Sequence, residues 1–132
     1  MRDTEIWKDI KDYEGLYQVS NLGRIKSLVC WAGNKYSKKY IKKEKILKFK
    51  PKKNGYFVVT LRHKNIIKYK TIHRIVAETF LPNPNNYPVV NHIDGNKINN
   101  NVSNLEWCTY KHNNQEAIRL GLTPEPNTIL KR

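Results

Sequence analysis

One stretch of the chain concentrates the residues able to do chemistry. From Val90 it reads Val90-Asn91-His92-Ile93-Asp94-Gly95-Asn96-Lys97-Ile98-Asn99-Asn100-Asn101-Val102-Ser103-Asn104-Leu105-Glu106-Trp107-Cys108-Thr109, followed by Lys111-His112-Asn113-Asn114. A histidine exchanges its proton near neutral pH. Paired with one hard cation, it can activate water, stabilise charge on a phosphate and neutralise a leaving oxygen, which is what phosphodiester hydrolysis needs. A lone histidine beside an asparagine is more often a surface or capping residue. His92 stands apart because it precedes a long Asn-rich run that ends in a strand and a helix bearing Asn104 and Asn113. The two cysteines, Cys30 and Cys108, form no CxxC pair. That argues against a zinc knuckle and against a disulfide scaffold, leaving ordinary thiols, with Cys108 packing in the core.

These residues need elements to hold them. Val89 and Val90 are expected to begin a short strand, residues 93–104 to form an irregular loop, and Leu105–Thr109 to return as a second strand. Tyr110–Leu120 reads as a helix ended by Gly121. Upstream, Ile72, Ile75, Val76 and Phe80 recur at helical spacing, starting at Thr71 or Ile72 and stopped by Pro82 and Pro84. Tyr56–Arg62 and Lys68–Ile72 alternate as strands around a turn at His63-Lys64-Asn65. Residues 5–29 read as short strands, with a hairpin of Leu16–Ser20 and Arg24–Leu28 about Asn21-Leu22-Gly23. Ile46–Lys50 is a further candidate strand, and residues 30–45 are expected to be a loop or ragged edge.

Charge points to the partner. Lys and Arg number 25 against 11 Asp and Glu, a formal charge of +14 on 132 residues. The excess is local: residues 24–74 hold 17 basic residues and one acid, Glu44. Tyr36, Tyr40, Phe49, Tyr56, Phe57 and Tyr69 are interleaved with them. Basic and aromatic residues so mixed suit phosphate contact together with stacking, the footprint of a nucleic-acid binder. No apolar run reaches transmembrane length and the first residues do not read as a signal peptide, so a cytoplasmic protein is expected.

The order of His92, the Asn-rich loop, Asn104 and Asn113 closely resembles the HNH endonucleases, in particular the phage and intron-encoded homing enzymes, over roughly residues 71–120. A second resemblance lies upstream. Trp7-Lys8-Asp9-Ile10 and Tyr13-Glu14-Gly15-Leu16-Tyr17-Gln18-Val19-Ser20-Asn21-Leu22-Gly23-Arg24-Ile25-Lys26-Ser27 are similar to NUMOD4, a small module that often precedes the HNH core. The resemblance implies an α+β fold: a ββα-metal (His-Me finger) core over residues 56–121, preceded by a small antiparallel sheet module with its Lys-rich segment over residues 1–55, with residues 122–132 as a tail.

It also implies a site. His92 would be the general base. Asn104 would pin the loop across the hairpin, or orient the His92 ring in place of a backbone carbonyl. Asn91 and Asn113 would ligate one divalent ion, Mg²⁺ or Mn²⁺, which hard oxygen donors favour over zinc. Some relatives carry Asp before the histidine; Asn91 brings no charge, so weaker metal affinity is expected, with phosphate oxygens completing the shell. Asp94, the nearest carboxylate, more often makes a turn before its glycine. Arg24, Lys26, Lys48, Lys50, Lys52, Lys53, Arg74, Lys97 and Lys111 are the candidate contacts to double-stranded DNA. His73 is a possible neighbour of the site, and Trp107 is expected in the core.

A monomer or weak dimer in a bacterial host, phage-encoded, completes the expectation. The larger homing enzymes often continue into a helix-turn-helix reader, whereas only a short tail follows Gly121 here. Specificity is therefore expected from the N-terminal sheet and basic loop, or to be low. A binder of the same fold with an inactive site, and an RNA-binding module, are the alternatives that the same residues admit.

Overall fold

The tight turn Asn21-Leu22-Gly23 sets the N-terminal architecture, folding β2 (Tyr17–Ser20) back onto β3 (Ile25–Ser27). In the computed structural model, which describes residues 4–28, 30–32 and 40–121, β1 (Trp7–Asp9) and β6 (Lys45–Ile46) flank that hairpin. The result is an all-antiparallel sheet in the order β1-β2-β3-β6. Between β3 and β6, β4 (Cys30–Ala32) and β5 (Tyr40–Lys42) pair as a short hairpin of their own. Where a loop or ragged edge is expected across residues 30–45, the described part holds this ladder, and residues 33–39 lie outside the described residues. The strand expected at Ile46–Lys50 shrinks to Lys45–Ile46; Leu47 still donates to Ile25 O at 2.9 Å, and Leu47 and Phe49 pack against the core.

β7 (Val58–His63) and β8 (Ile66–Thr71) form the longest hairpin, turning on Lys64 and Asn65 alone. Both turn residues have positive φ (51° and 65°), the two-residue geometry whose twist matches paired strands. So short a turn lets pairing run to His63↔Ile66, beyond the strand ends expected from alternation.

The chain then enters α1 (Ile72–Phe80) directly, burying Ile72, Ile75, Val76 and Ala77 on one face. Leu81 and Pro82 end it, since proline cannot continue the ladder. A two-stranded ladder of β9 (Val89–His92) and β10 (Leu105–Cys108) follows, with α2 (Tyr110–Arg119) packed against β9. Thr109 caps α2, its side chain accepting from the His112 amide at 3.1 Å. Gly121, at φ +74°, closes the helix with its N–H on Ile118 O.

One hydrophobic core joins the two expected modules. Ile10, Tyr13, Val19 and Ile25 from the N-terminal sheet pack with Val59, Leu61, the buried face of α1, Val90 and Leu105. Ile72 is fully buried at the centre. Truncation to alanine there removes buried apolar groups and leaves a cavity, so Ile72→Ala is expected to lower unfolding free energy by about 2–5 kcal/mol. Urea denaturation of the full chain checks this through a shift in midpoint at unchanged slope.

Candidate active site

β9, β10 and α2 form a ββα unit, and the long connection between the strands is stapled rather than loose. Asn104 does the stapling. Its Oδ1 accepts from the Asp94 amide at 3.0 Å, and its Nδ2 donates to Asp94 Oδ1 at 2.9 Å and to Asn99 O at 3.0 Å. The Ile93 amide donates to Asn104 O at 2.8 Å. Asp94 also accepts from Asn96 N and Asn99 Nδ2, and these donors hold its carboxyl below the usual range, the Asn99 bond foremost. Both Asp94 oxygens are thereby committed to the loop, in the turn role expected of an Asp before glycine.

His92 ends β9 and is almost wholly buried. Its Nε2 lies 2.8 Å from Asn100 Oδ1. An amide oxygen only accepts, so the proton sits on Nε2 and the lone pair is left on Nδ1. Asn100, not Asn104, therefore makes the hydrogen bond to the ring, and Asn100 was not among the residues singled out from the sequence. Three neighbouring asparagines, Asn99, Asn100 and Asn101, carry no pattern to say which turns inward. Burial lowers the pKa of His92 and outweighs the opposing pull of the Asn100 bond and of Asp94. The imidazole is neutral at neutral pH, the state a base needs.

His92 also lies within a cluster of rings. His73 sits 4.8 Å from it between centroids, and Tyr56 stacks on His73 at 4.9 Å with an interplanar angle of 22°. His73 is a true neighbour of the site. Burial first, then the charges of His92 and Arg74, pull its pKa from 6.5 to about 4. The sign follows: the unfolded chain takes up a proton from pH 6.5 downward, while folded His73 does not until about pH 4. The stability His73 brings is intact above 6.5 and lost as pH falls toward 4, so the melting temperature is expected to drop across that window. Replacing His73 by Phe should flatten that part of the curve.

The N-terminal module braces this loop. Asn21 O accepts from the Val102 amide at 2.8 Å. Gly23, at φ +88°, lies so close that an added Cβ would stand 2.7 Å from Asn100 Cβ and 2.8 Å from Asn100 O. Only glycine fits that backbone and that gap. Gly23→Ala is expected to displace Asn100 and with it the His92 ring, at a cost of about 1–3 kcal/mol. Thermal melting measures the cost, and the His92 ring resonances in an NMR spectrum report the displacement.

Asn91 and Asn113 occupy β9 and α2. Asn91 is buried, and its Nδ2 donates to Glu106 Oε1 at 2.9 Å. Asn113 is half-buried, one position after His112, which binds the same Glu106 oxygen at 3.1 Å. Among the described residues no three His, Cys, Asp or Glu side chains gather as a closed metal cage. The amide oxygens fit a hard cation held partly by phosphate and water oxygens, and they do not fit a structural zinc site.

The expected DNA contacts separate into two groups. Lys48, Lys50, Lys52, Lys53 and Lys111 are exposed. The others are engaged within the fold, although Arg24 and Arg74 are exposed as well. Arg24 pairs with Glu5 and lies over Trp7, and Lys26 Nζ stands 4.1 Å from the same ring. Arg74 donates to Pro88 O at 2.7 Å and covers Trp107, whose Nε1 donates to Leu81 O, so both fasten α1 to the β9–β10 unit. Lys97 Nζ donates to Asn54 O at 2.8 Å and covers Tyr56, tying the loop between β9 and β10 to the Lys52–Gly55 turn. Cys108 is buried with its pKa raised by burial, the state of an inert packing thiol.

Residues 5–62 match the NUMOD4 motif and residues 70–115 the HNH endonuclease model. The chain is 43% identical over 116 residues to an uncharacterised HNH endonuclease of Acanthamoeba polyphaga mimivirus, covering 88% of this chain and 31% of that protein. It is 40% identical over 115 residues to the DNA endonuclease I-HmuI of Bacillus phage SP01, covering 87% of this chain and 59% of that protein. A solved structure of DNA binding and cleavage by the HNH homing endonuclease I-HmuI superposes with a TM-score of 0.73 at 36% identity, over 94% of this chain and 64% of that one. The chain thus spans about a third to two-thirds of the relatives it matches.

Proposed function

Because the chain belongs to the HNH endonuclease family, with a NUMOD4 module ahead of the nuclease core, we propose that it hydrolyses phosphodiester bonds of double-stranded DNA. The observation that carries this is the state of His92: buried at the end of β9, neutral, with Nε2–H held by Asn100 and Nδ1 left as acceptor. Nδ1 takes the proton of the attacking water as it meets the scissile phosphate. Asn104 keeps the loop closed behind the base. Asn91 and Asn113 hold one Mg²⁺ or Mn²⁺, which when bound stabilises charge on the phosphate and the leaving oxygen.

Exposed Lys48, Lys50, Lys52, Lys53 and Lys111 supply phosphate contacts that position the duplex without reading its sequence. Arg24, Lys26, Arg74 and Lys97 serve the duplex chiefly by holding those surfaces in place. A monomer has one site and nicks one strand; cutting both takes a weak dimer or two events. The relative from a Bacillus phage supports an enzyme acting on DNA in an infected cell, here the cytoplasm of a bacterial host. No helix among the described residues is long and apolar enough to cross a membrane.

End analysis tests the reaction class. A labelled duplex cut in Mg²⁺ should yield 5′-phosphate and 3′-hydroxyl ends that DNA ligase reseals, with no product when chelator replaces the metal. Ends that ligase cannot seal, or cleavage that survives the chelator, contradict the mechanism. Tight binding of a range of phage and bacterial DNA with no cleavage in either metal would make this a binding protein of the same fold.

A further inference from the structure

The base, the loop staple and the two amide ligands leave Glu106, the carboxylate bonded to Asn91, without a role. Glu106 stands directly opposite Asn91 in the β9–β10 ladder. Its Oε1 accepts from Asn91 Nδ2 at 2.9 Å and from His112 Nε2 at 3.1 Å. An ionised carboxylate only accepts, so the Asn91 amide must turn its NH₂ group toward it. That choice leaves Oδ1, the one atom of the side chain able to ligate a hard cation, free of the carboxylate. Oδ1 makes no hydrogen bond to another described residue, and it is not sealed from solvent, because no described buried side-chain oxygen lacks a partner.

We propose that Glu106, steadied by His112, is the positioning residue of the metal centre: it orients the Asn91 amide with its oxygen to the cation and supplies the negative charge that Asn91 lacks. The inference rests on Asn91 being a metal ligand. Without Glu106 the amide can present either end, and the cation loses the carboxylate bonded to its Asn91 ligand. Partners that orient metal ligands typically carry about 10–100-fold of metal affinity.

Mn²⁺ titration followed by electron paramagnetic resonance, on the full chain without DNA, reads this directly. Glu106→Gln keeps the volume and is expected to weaken Mn²⁺ binding about tenfold or more, with the melting temperature and metal-free DNA binding at parent values. Glu106→Asp keeps the charge and binds Mn²⁺ more tightly than Glu106→Gln; the reverse order contradicts the proposal. Parent-like Mn²⁺ affinity in Glu106→Gln, with Asn91→Ala weakened, overturns the role of Glu106 and leaves the metal centre standing. Parent-like affinity in Asn91→Ala, or no Mn²⁺ held by the parent at millimolar concentration, removes the ligand assignment and this inference together.

Discussion

Replacing His92 by alanine should lower the rate of DNA cleavage by about 10²–10⁴-fold while leaving duplex affinity close to that of the parent. The size follows from what is removed. Without Nδ1 the attacking water loses the acceptor assigned to it; Asp94 is bound by the loop and Asn100 and Asn104 are amides, which leaves His73, 4.8 Å from His92 between ring centroids, as the other base nearby. Affinity is spared because the exposed lysines lie elsewhere on the chain, in the 48–53 segment and at position 111. His92→Gln is the sterner comparison, since it can still donate to Asn100 and keep the loop closed yet cannot take a proton. Single-turnover rates on a labelled duplex at saturating protein separate chemistry from binding. The acid limb of kcat/KM should fall below pH 6.5, because burial holds His92 neutral past the usual histidine value.

The second large effect is on binding and concerns salt. Lys48, Lys50, Lys52 and Lys53 lie exposed on one short run between β6 and β7. Each phosphate neutralised on a duplex releases counterion, and the logarithm of affinity falls against the logarithm of salt with a slope of about 0.9 per contact. Changing all four lysines to glutamine is therefore expected to flatten that slope by about 3.6 and to weaken binding at low salt by a common factor across unrelated sequences. Fluorescence anisotropy at several salt concentrations measures both. An unchanged slope would show that this run does not touch phosphate. Changing Arg24 and Arg74 should act differently, lowering stability more than slope, because each is spent on a contact within the fold.

Much of the site was legible in the residues because its order along the chain is also its order in space. A strand ending at His92, an Asn-rich connection, a return strand and a helix bearing Asn113 form one local unit, so spacing alone outlines it. Asn104 and the turn at Asp94 were visible for the same reason. What lay hidden depends on contacts between distant segments. Asn100 turns inward because Gly23, 77 positions earlier, leaves room for it and nothing else. Tyr56, His73 and His92 come from a turn, a helix and a strand, and only the shared core brings their rings together. Arg74 and Lys97 read as phosphate contacts because a basic residue beside a site reads that way; that each is also bound to a carbonyl, of Pro88 and of Asn54, depends on segments distant in the chain. Glu106 carried a signal that the expected hairpin already contained, since a register pairing His92 with Leu105 sets it opposite Asn91. The lysine-rich composition between β3 and β6 masked the β4–β5 ladder, whose pairing no alternation of apolar residues announces.

Supercoiled plasmid distinguishes the central claim from its rivals in one gel. Parent and His92→Ala, matched for folding by melting temperature, are incubated with it in Mg²⁺, in Mn²⁺ and in chelator. Metal-dependent conversion to nicked or linear DNA by the parent, with at most a trace from His92→Ala, is the expected result. Equal cleavage by both proteins would contradict the assignment of His92 as the base.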